Sequence, residues 1–320
     1  MGREEEIIRI LAVSLRRVVK ELLPKWDRLE EIRLRVNAPL CVVAEGGSFF
    51  VSEQGRFCSR EQAWIVGMAE LRETMEYVSS YSRYAFEEKI RQGFLTVPGG
   101  HRIGLAGRVV MEGKSVKTIA PVTFLSIRMA REVRGCGKEA APWLWENGQL
   151  QDTLILSPPG LGKTTLLRDL IRLLSDGECG PACTVGVVDE RSELAACYQG
   201  IPQNDLGSRT DVLDGCPKAE GMLMLVRSLA PQVIAVDEVG AEEDCRAIEY
   251  VMNCGCRLLA TAHASSWEEL RRRPVFGRWI DEKRFGRYML LEHAGGQVRC
   301  RVCSASGRTL WQGEGRRLVR

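Results

Sequence analysis

Long apolar runs, a one-sided charge balance and low-complexity segments are all absent from this sequence of 320 residues. No stretch of eighteen apolar residues without a charge occurs, so the sequence predicts no membrane-spanning helix. The opening segment MGREEEIIRI lacks the basic-then-apolar order of a secretion signal, and we therefore expect a cytoplasmic protein. The formal net charge is only +3, which argues against a dedicated nucleic-acid binder.

A cysteine framework is also missing, although the sequence contains twelve cysteines. Cys300 and Cys303 form a CxxC pattern, and Cys254 and Cys256 form a CxC pattern, but no further pair completes a four-ligand zinc site. The scattered positions differ from the disulfide framework of a small secreted domain. We expect these cysteines to be buried or idle thiols that pack as small hydrophobic side chains.

The first part of the chain mixes helical and strand patterns. Apolar residues recur at helical spacing over residues 4–23, and Pro24 is expected to end that helix. Short strand patterns follow, and a helical stretch is predicted over residues 60–92. We predict a smaller α+β domain over residues 1–135 and a connector over residues 136–150, where the composition becomes rich in glycine and alanine.

Over residues 151–320 the chain alternates short apolar strands with helices. The segments TLILS, TVGVVDE, VIAVDEVG and CRLLATAHA have continuous apolar runs, which is typical of a parallel sheet covered on both faces. The final segments RYMLLEH, QVRCRVC and RTLWQ predict a small antiparallel meander. The predicted fold class is α/β with a mainly parallel sheet.

A glycine-rich turn joins the strand TLILS to the helical segment KTTLLRDLIRLL. Its glycines let the backbone curl so that successive N–H groups face one phosphate, and the helix that follows adds its positive end. The spacing is that of a P-loop, except that Ser157 replaces the first glycine. The predicted ATP-binding residues are Ser157, Pro158, Pro159, Gly160, Leu161, Gly162, Lys163, Thr164 and Thr165.

Two carboxylates follow the strand VIAV, as in a Walker B motif. Asp237 and Glu238 should lie at the carboxyl end of the sheet, where ligands of open α/β sheets bind. We expect Thr164 and Asp237 to hold Mg²⁺, Lys163 to reach the β- and γ-phosphates, and Glu238 to orient the attacking water. The sequence therefore predicts an ATP hydrolase with a RecA-like P-loop core.

Polar residues end two further strands on the same predicted edge. Glu190 and Arg191 follow one buried strand, and either a catalytic role or a structural ion pair is open to them. His263 follows another strand and is expected to sense the γ-phosphate.

Several longer segments carry a resemblance to a known family. EIRLRVNAPL, GGHRIGLAGRVV, SIRMAREV and the run QNDLGSRTDVLDGCPKAEGMLMLVRSLAPQVIAVDEVG resemble the stage III sporulation protein AA family. That family is related to the ATPases of type II and type IV secretion systems, which also suggests an AAA+ type of motor. The resemblance implies that Asp189 and Glu190 form an acidic box, that Glu238 is the Walker B glutamate, and that His263 is the His box.

The resemblance also implies a biological setting. It predicts a hexameric ring that energises a channel between mother cell and forespore, together with membrane proteins of that channel complex. The expected location is the mother-cell cytoplasm, peripheral to the outer forespore membrane. An arginine of the first domain, Arg128 in the first place, is expected to close over the nucleotide as a catalytic finger. The other candidates are Arg102, Arg108, Arg131, Arg209 and Arg227.

Other function classes stay open at this stage. The basic clusters Arg271-Arg272-Arg273 and Arg316-Arg317 keep a nucleic-acid translocase or helicase-like ATPase as the alternative. A nucleotide switch without hydrolysis and a small-molecule kinase are further possibilities.

Overall fold

The structure is a computed structural model that describes residues 3–22, 28–79, 90, 93–294 and 297–314. The chain divides into two compact units, and the shorter segment Cys197–Gln203 belongs to the first of them. The first unit otherwise comprises Met1–Arg131, and the second comprises Glu132–Ala196 and Asn204–Arg320. Among the described residues, no helix is long and apolar enough to cross a bilayer.

The first unit is built on a seven-stranded antiparallel sheet with the order β5-β4-β3-β1-β9-β8-β7. The strands of the whole unit are β1 Leu29–Arg35, β2 Ala38–Pro39, β3 Cys41–Ala44, β4 Gly47–Val51, β5 Phe57–Cys58, β6 Ile65–Val66, β7 Phe94–Thr96, β8 Arg102–Glu112 and β9 Ser115–Arg128. Its helices are α1 Arg3–Ile10, α2 Val13–Lys20 and α3 Met68–Ser79. Buried residues of these helices, such as Ile10 and Leu15, share one core with Ile32 and Leu34 of β1.

The single helix predicted over residues 4–23 is two helices, α1 and α2. The break falls at Ala12, whose N–H donates to the Thr74 hydroxyl at 3.0 Å instead of continuing the helical ladder. The helix predicted over residues 60–92 was placed too early, because α3 begins at Met68 and a 3₁₀ turn and the short strand β6 precede it. Pro24 and residues 80–89 lie outside the described residues.

The second unit carries an eight-stranded sheet with the order β14-β13-β15-β16-β12-β17-β18-β19. The strands of the whole unit are β10 Trp145–Glu146, β11 Gln149–Leu150, β12 Thr153–Ser157, β13 Val185–Asp189, β14 Thr210–Asp214, β15 Val233–Val236, β16 Arg257–His263, β17 Arg287–Ala294, β18 Gln297–Ser304 and β19 Thr309–Glu314. Its helices are α4 Lys163–Asp176, α5 Lys218–Ser228, α6 Glu242–Asn253, α7 Trp267–Arg271 and α8 Pro274–Asp281.

Strand burial explains the apolar runs of the second unit. All residues of β12, β13 and β15 are buried, as expected for strands covered on both faces. The pairings from β14 through to β17 are parallel, whereas β17, β18 and β19 pair antiparallel. The antiparallel meander expected at the end of the sequence is therefore present, but β17 joins it to β12 as part of the main sheet.

The residues expected to form a connector, 136–150, belong to the second unit instead. The Asp169 carboxylate on α4 accepts the N–H groups of Gly135 and Gly137 at 2.9 and 2.8 Å. Arg172 donates to the same carboxylate at 3.2 Å. Burial, and next the charge of Asp169, raise the pKa of the neighbouring Cys136 thiol to about 12. This segment is fixed to the helix because the buried carboxylate needs these donors.

Replacing Asp169 with Asn should destabilise the second unit by about 3 kcal/mol, because a buried ion pair loses one partner and one of the two backbone N–H groups loses its acceptor oxygen. Urea unfolding monitored by circular dichroism measures the change. Asp281→Asn is the matched control, since its side chain is 61% exposed and pairs with Arg271 at the surface. Equal unfolding midpoints for the two variants would contradict the role assigned to Asp169.

Candidate functional site

Four parallel strands of the second unit end at one edge of the sheet. In the register of the sheet, Ser157 at the end of β12 lies opposite His263 at the end of β16. Val188 of β13 lies opposite Val236, the last residue of β15. Polar residues that follow these strands therefore meet at the carboxyl edge, where open α/β sheets bind ligands.

The glycine-rich turn lies between β12 and α4. Gly160 and Gly162 have φ angles of +80° and +86°, which side chains with a Cβ atom seldom adopt. Gly162 precedes the first helical residue, and no side chain caps the helix there, so the N–H groups of the first turn are left for a ligand. The turn is a cradle for an anion such as phosphate.

Two of the predicted nucleotide ligands contribute differently from the glycines. Ser157 is fully buried, and its hydroxyl donates to the Pro158 carbonyl oxygen at 2.6 Å. Leu161 is also buried, so only its backbone can face a ligand. These side chains anchor the loop, whereas Pro159 and Gly160 are exposed at its tip.

The charged residues of this edge pair with one another. Lys163 Nζ donates to Glu238 Oε1 at 2.6 Å, and Thr164 Oγ1 donates to Asp237 Oδ2 at the same distance. Only 9% of the Lys163 side chain is exposed, which shields its ion pair from solvent. The structure thus brings together the residues that the sequence assigned to phosphate, metal ion and water.

The hydroxyl and carboxylate oxygens of Thr164 and Asp237 suit a magnesium ion, which prefers oxygen ligands. Within the described ranges no three His, Cys, Asp or Glu side chains converge as a metal site. A magnesium ion held by Thr164 and Asp237 would therefore complete its shell with phosphate oxygens and water, as it usually does in nucleotide sites.

Thr261 lies behind the two carboxylates, and the sequence analysis assigned it no role. Its hydroxyl donates to Asp237 Oδ1 and accepts the N–H of Glu238 at 2.8 Å. Glu238 has a φ angle of +57°, a left-handed conformation that costs energy for a non-glycine residue and often marks a functional site. The one signal in the sequence was a hydroxyl within the apolar strand ATAHA.

His263 contacts the same glutamate. Its Nε2 atom lies 3.1 Å from Glu238 Oε1, and its buried Nδ1 atom has no hydrogen-bond partner among the described residues. Glu238 therefore touches both Lys163 and His263 through a single oxygen atom. The structure places His263 at the carboxyl edge of the sheet, beside the candidate catalytic carboxylate, and its role as a γ-phosphate sensor stays a prediction.

Glu190 forms an ion pair with Lys218, the first residue of α5, which the sequence analysis did not single out. These two residues line a cleft that Asp237 and Glu238 also line. Asp189 contributes indirectly, because its carboxylate accepts the N–H groups that shape the following loop. Glu190 thus lies beside the site, bound to a cation of its own.

The loop after β13 is fixed by the buried Asp189 carboxylate. Its two oxygens accept the N–H groups of Glu193 and Ala195, each at 2.8 Å. Burial raises the pKa of Asp189, although the backbone donors act against that effect. Asp189 therefore supports the loop that carries Glu190 and Arg191.

Four of the six arginines expected as catalytic fingers contact residues of their own unit. In the first unit, Arg128 ends β9 opposite Glu31, whose pKa it helps to lower, and Arg131 donates to the Leu29 carbonyl oxygen at 2.8 Å. Arg102 lies over the Phe94 ring, and Arg108 is exposed on β8. In the second unit, Arg209 donates to the Ser175 carbonyl oxygen at 3.0 Å, and Arg227 is exposed near the end of α5. A finger role for any of them stays a prediction.

The basic cluster that favoured nucleic acid is partly neutralised. Arg271 pairs with Asp281 at 2.8 Å, and Arg273 pairs with Glu269 at 2.9 Å. Arg316 and Arg317 lie outside the described residues.

The pKa of Glu238 is shifted by opposing effects. Burial acts to raise this pKa, but the hydrogen bond and charge of Lys163, followed by the charges of His263 and Arg191, hold it below its usual range. Because the folded-state pKa is depressed, the ionised carboxylate stabilises the fold above the unfolded-state pKa of about 4.3. That stabilisation is lost as the pH falls through the lower folded-state value.

Glu238→Gln should therefore destabilise the nucleotide-free protein by about 1–3 kcal/mol at pH 7, because Lys163 is left buried without its anion. The difference from the parent should shrink as the pH falls below about 4.3. Urea titrations on both sides of this pH in the presence of a chelator measure it. Glu242→Gln, which alters an ion pair with a 68% exposed carboxylate, is the control. A difference that does not change with pH would contradict the assigned ion pair.

Comparisons with known proteins bear on the family and the fold of the chain. The family model described as "Sporulation stage III, protein AA" matches residues 1–307. The chain is 40% identical over 294 residues to stage III sporulation protein AA of Bacillus subtilis strain 168, with 91% of this chain and 92% of that protein covered.

Two solved structures share the fold. The pilus retraction motor PilT with bound ADP superposes with a TM-score of 0.58 and 14% identity, covering 91% of this chain and 82% of that chain. The ATPase DotB of Legionella pneumophila superposes with a TM-score of 0.55 and 14% identity, covering 89% and 79%. These likenesses confirm the predicted RecA-like α/β fold, and the sequence matches confirm the family resemblance. The chain therefore belongs to the sporulation stage III protein AA family.

Proposed function

We propose that this chain is an ATP hydrolase of the secretion-ATPase superfamily, which supplies energy to a membrane-associated channel complex between mother cell and forespore during sporulation. The observation that carries the proposal is the direct pairing of Lys163 and Thr164, at the start of α4, with Glu238 and Asp237, at the end of β15. A phosphate cradle, a metal ligand pair and a half-buried carboxylate for water are thus assembled in one place.

Each residue takes a defined role in this proposal. The N–H groups of the turn and Lys163 bind the β- and γ-phosphates, and Thr164 and Asp237 hold Mg²⁺. The metal ion, when bound, neutralises charge on the phosphate oxygens. Glu238 orients and polarises the attacking water once Lys163 has exchanged its carboxylate partner for phosphate. Thr261 positions both carboxylates through its hydroxyl.

The biological setting proposed here rests on family membership. The protein assembles into a hexameric ring of AAA+ type in the mother-cell cytoplasm, peripheral to the outer forespore membrane. Its partners are membrane proteins of the sporulation channel complex. Support comes from the 40% identity to the Bacillus subtilis stage III sporulation protein AA.

Two substitutions separate nucleotide binding from hydrolysis. Lys163→Ala should weaken ATP binding by about 100-fold, because a charge-assisted contact to phosphate is lost. Glu238→Gln should bind ATP with nearly unchanged affinity and lower the turnover number by about 10²–10⁴, the range of general acid–base catalysis. Isothermal titration calorimetry and a phosphate-release assay measure the two effects.

Lys138→Ala, at an exposed position, is the control for the lysine substitution and should behave like the parent. Equal turnover for Glu238→Gln and the parent would remove Glu238 from the reaction. Failure of the parent protein to bind ATP at all would overturn the proposed function itself.

Assembly makes a separate prediction. Turnover per subunit should rise with protein concentration, in step with a shift of the molar mass from one subunit to six, because catalysis is shared between neighbouring subunits. Light scattering and phosphate release on the same samples measure both quantities. Constant turnover per subunit in a protein that stays monomeric would contradict the ring.

A further inference from the structure

Glu238 forms ion pairs with a lysine ammonium group and with an arginine guanidinium group. The guanidinium group is that of Arg191. This residue lies two residues beyond the end of β13, and its Nη1 donates to Glu238 Oε2 at 3.0 Å. Lys163 occupies the other carboxylate oxygen. Both oxygens of the proposed water-orienting carboxylate are therefore held by positive side chains.

The two cations differ in their exposure. The Lys163 side chain is 9% exposed, whereas that of Arg191 is 59% exposed. An ion pair as open as the Arg191 contact contributes little to stability, because water screens it. Its guanidinium also has five N–H donors in a planar fork, and the contact with Glu238 uses one of them. Donors are thus left to face the cleft that Arg191 lines.

The negative charges of Glu238 and of a bound phosphate would call for a cation such as Arg191. Lys218 is bound to Glu190, whereas Lys163 and Arg191 both form ion pairs with Glu238. A terminal phosphate bound by Lys163 would lie next to the ionised Glu238, and two anions at such a distance repel each other. A cation that touches Glu238 and can reach the phosphate removes that repulsion.

The loop geometry keeps Arg191 in reach. Asp189 fixes the loop through the N–H groups of Glu193 and Ala195, and Arg168 donates to the carbonyl oxygens of Glu193 and Leu194. The backbone that carries Arg191 is therefore held on both sides of the residue, while its side chain is free to turn by rotation about its own bonds.

We propose that Arg191 is a phosphate-reading residue of the same subunit, which bridges Glu238 and the terminal phosphate of a nucleoside triphosphate and so distinguishes a triphosphate from a diphosphate. The inference rests on the proposed nucleotide site. A diphosphate has no group at that position, so Arg191 then contacts Glu238 alone. The arginine also positions Glu238 relative to the phosphorus atom that the water attacks.

The test compares binding of two ligands by the full chain. Dissociation constants for ADP and for a non-hydrolysable ATP analogue, both with Mg²⁺, are measured by calorimetry for the parent, Arg191→Ala and Arg191→Lys. Arg191→Ala should lose about tenfold in affinity for the ATP analogue, as expected for one charge-assisted contact, and less than about twofold for ADP. Arg191→Lys should retain an intermediate preference, because it keeps the charge without the fork.

Arg246→Ala is the matched control, since Arg246 forms a comparable exposed ion pair with Glu242 on α6. It should bind both ligands like the parent, and all variants should unfold at the same urea concentration. Equal losses for both ligands in Arg191→Ala, or none for either, would overturn the role of Arg191 while leaving the nucleotide site intact. A parent protein that binds neither ligand would overturn the proposed function as well.

Discussion

Parallel pairing of β12, β15 and β16 is the constraint on which the site depends. The register that places Ser157 opposite His263 and Val236 opposite Ala260 also decides where the residues after each strand lie. A shift of one residue would turn each side chain to the other face of the sheet. The phosphate turn, the two carboxylates and the histidine converge because their strands end at one level, although they are far apart along the chain.

Within that frame the site satisfies its own charges. Lys163 is largely buried, and a buried ammonium group would be costly without the carboxylate of Glu238 beside it. Glu238 also has an unfavourable backbone conformation, and the Thr261 hydroxyl holds it by accepting the Glu238 N–H. Ligand binding therefore exchanges one set of ion pairs for another, and the protein does not need to create a charged cavity first. Such exchange lowers the reorganisation needed when phosphate arrives.

The sequence was sufficient for those parts of the site that lie close together along the chain. The P-loop spacing, the strand before it and the helix after it are local patterns, and so is the run of apolar residues ending in Asp237 and Glu238. The ion pair between Glu190 and Lys218 and the hydroxyl of Thr261 depend on which strands are neighbours, so no local pattern reveals them. The broken first helix had the same cause, since its break depends on Thr74, some sixty residues away.

Residues 135–137 have a mechanical consequence. The backbone N–H groups of Gly135 and Gly137 donate to the Asp169 carboxylate, which belongs to the helix that starts with Lys163. These hydrogen bonds are shielded from water. The start of the second unit is thus fixed to that helix by hydrogen bonds and is not a flexible linker. A force applied to the chain at Gly135 would therefore act directly on the helix that carries Lys163.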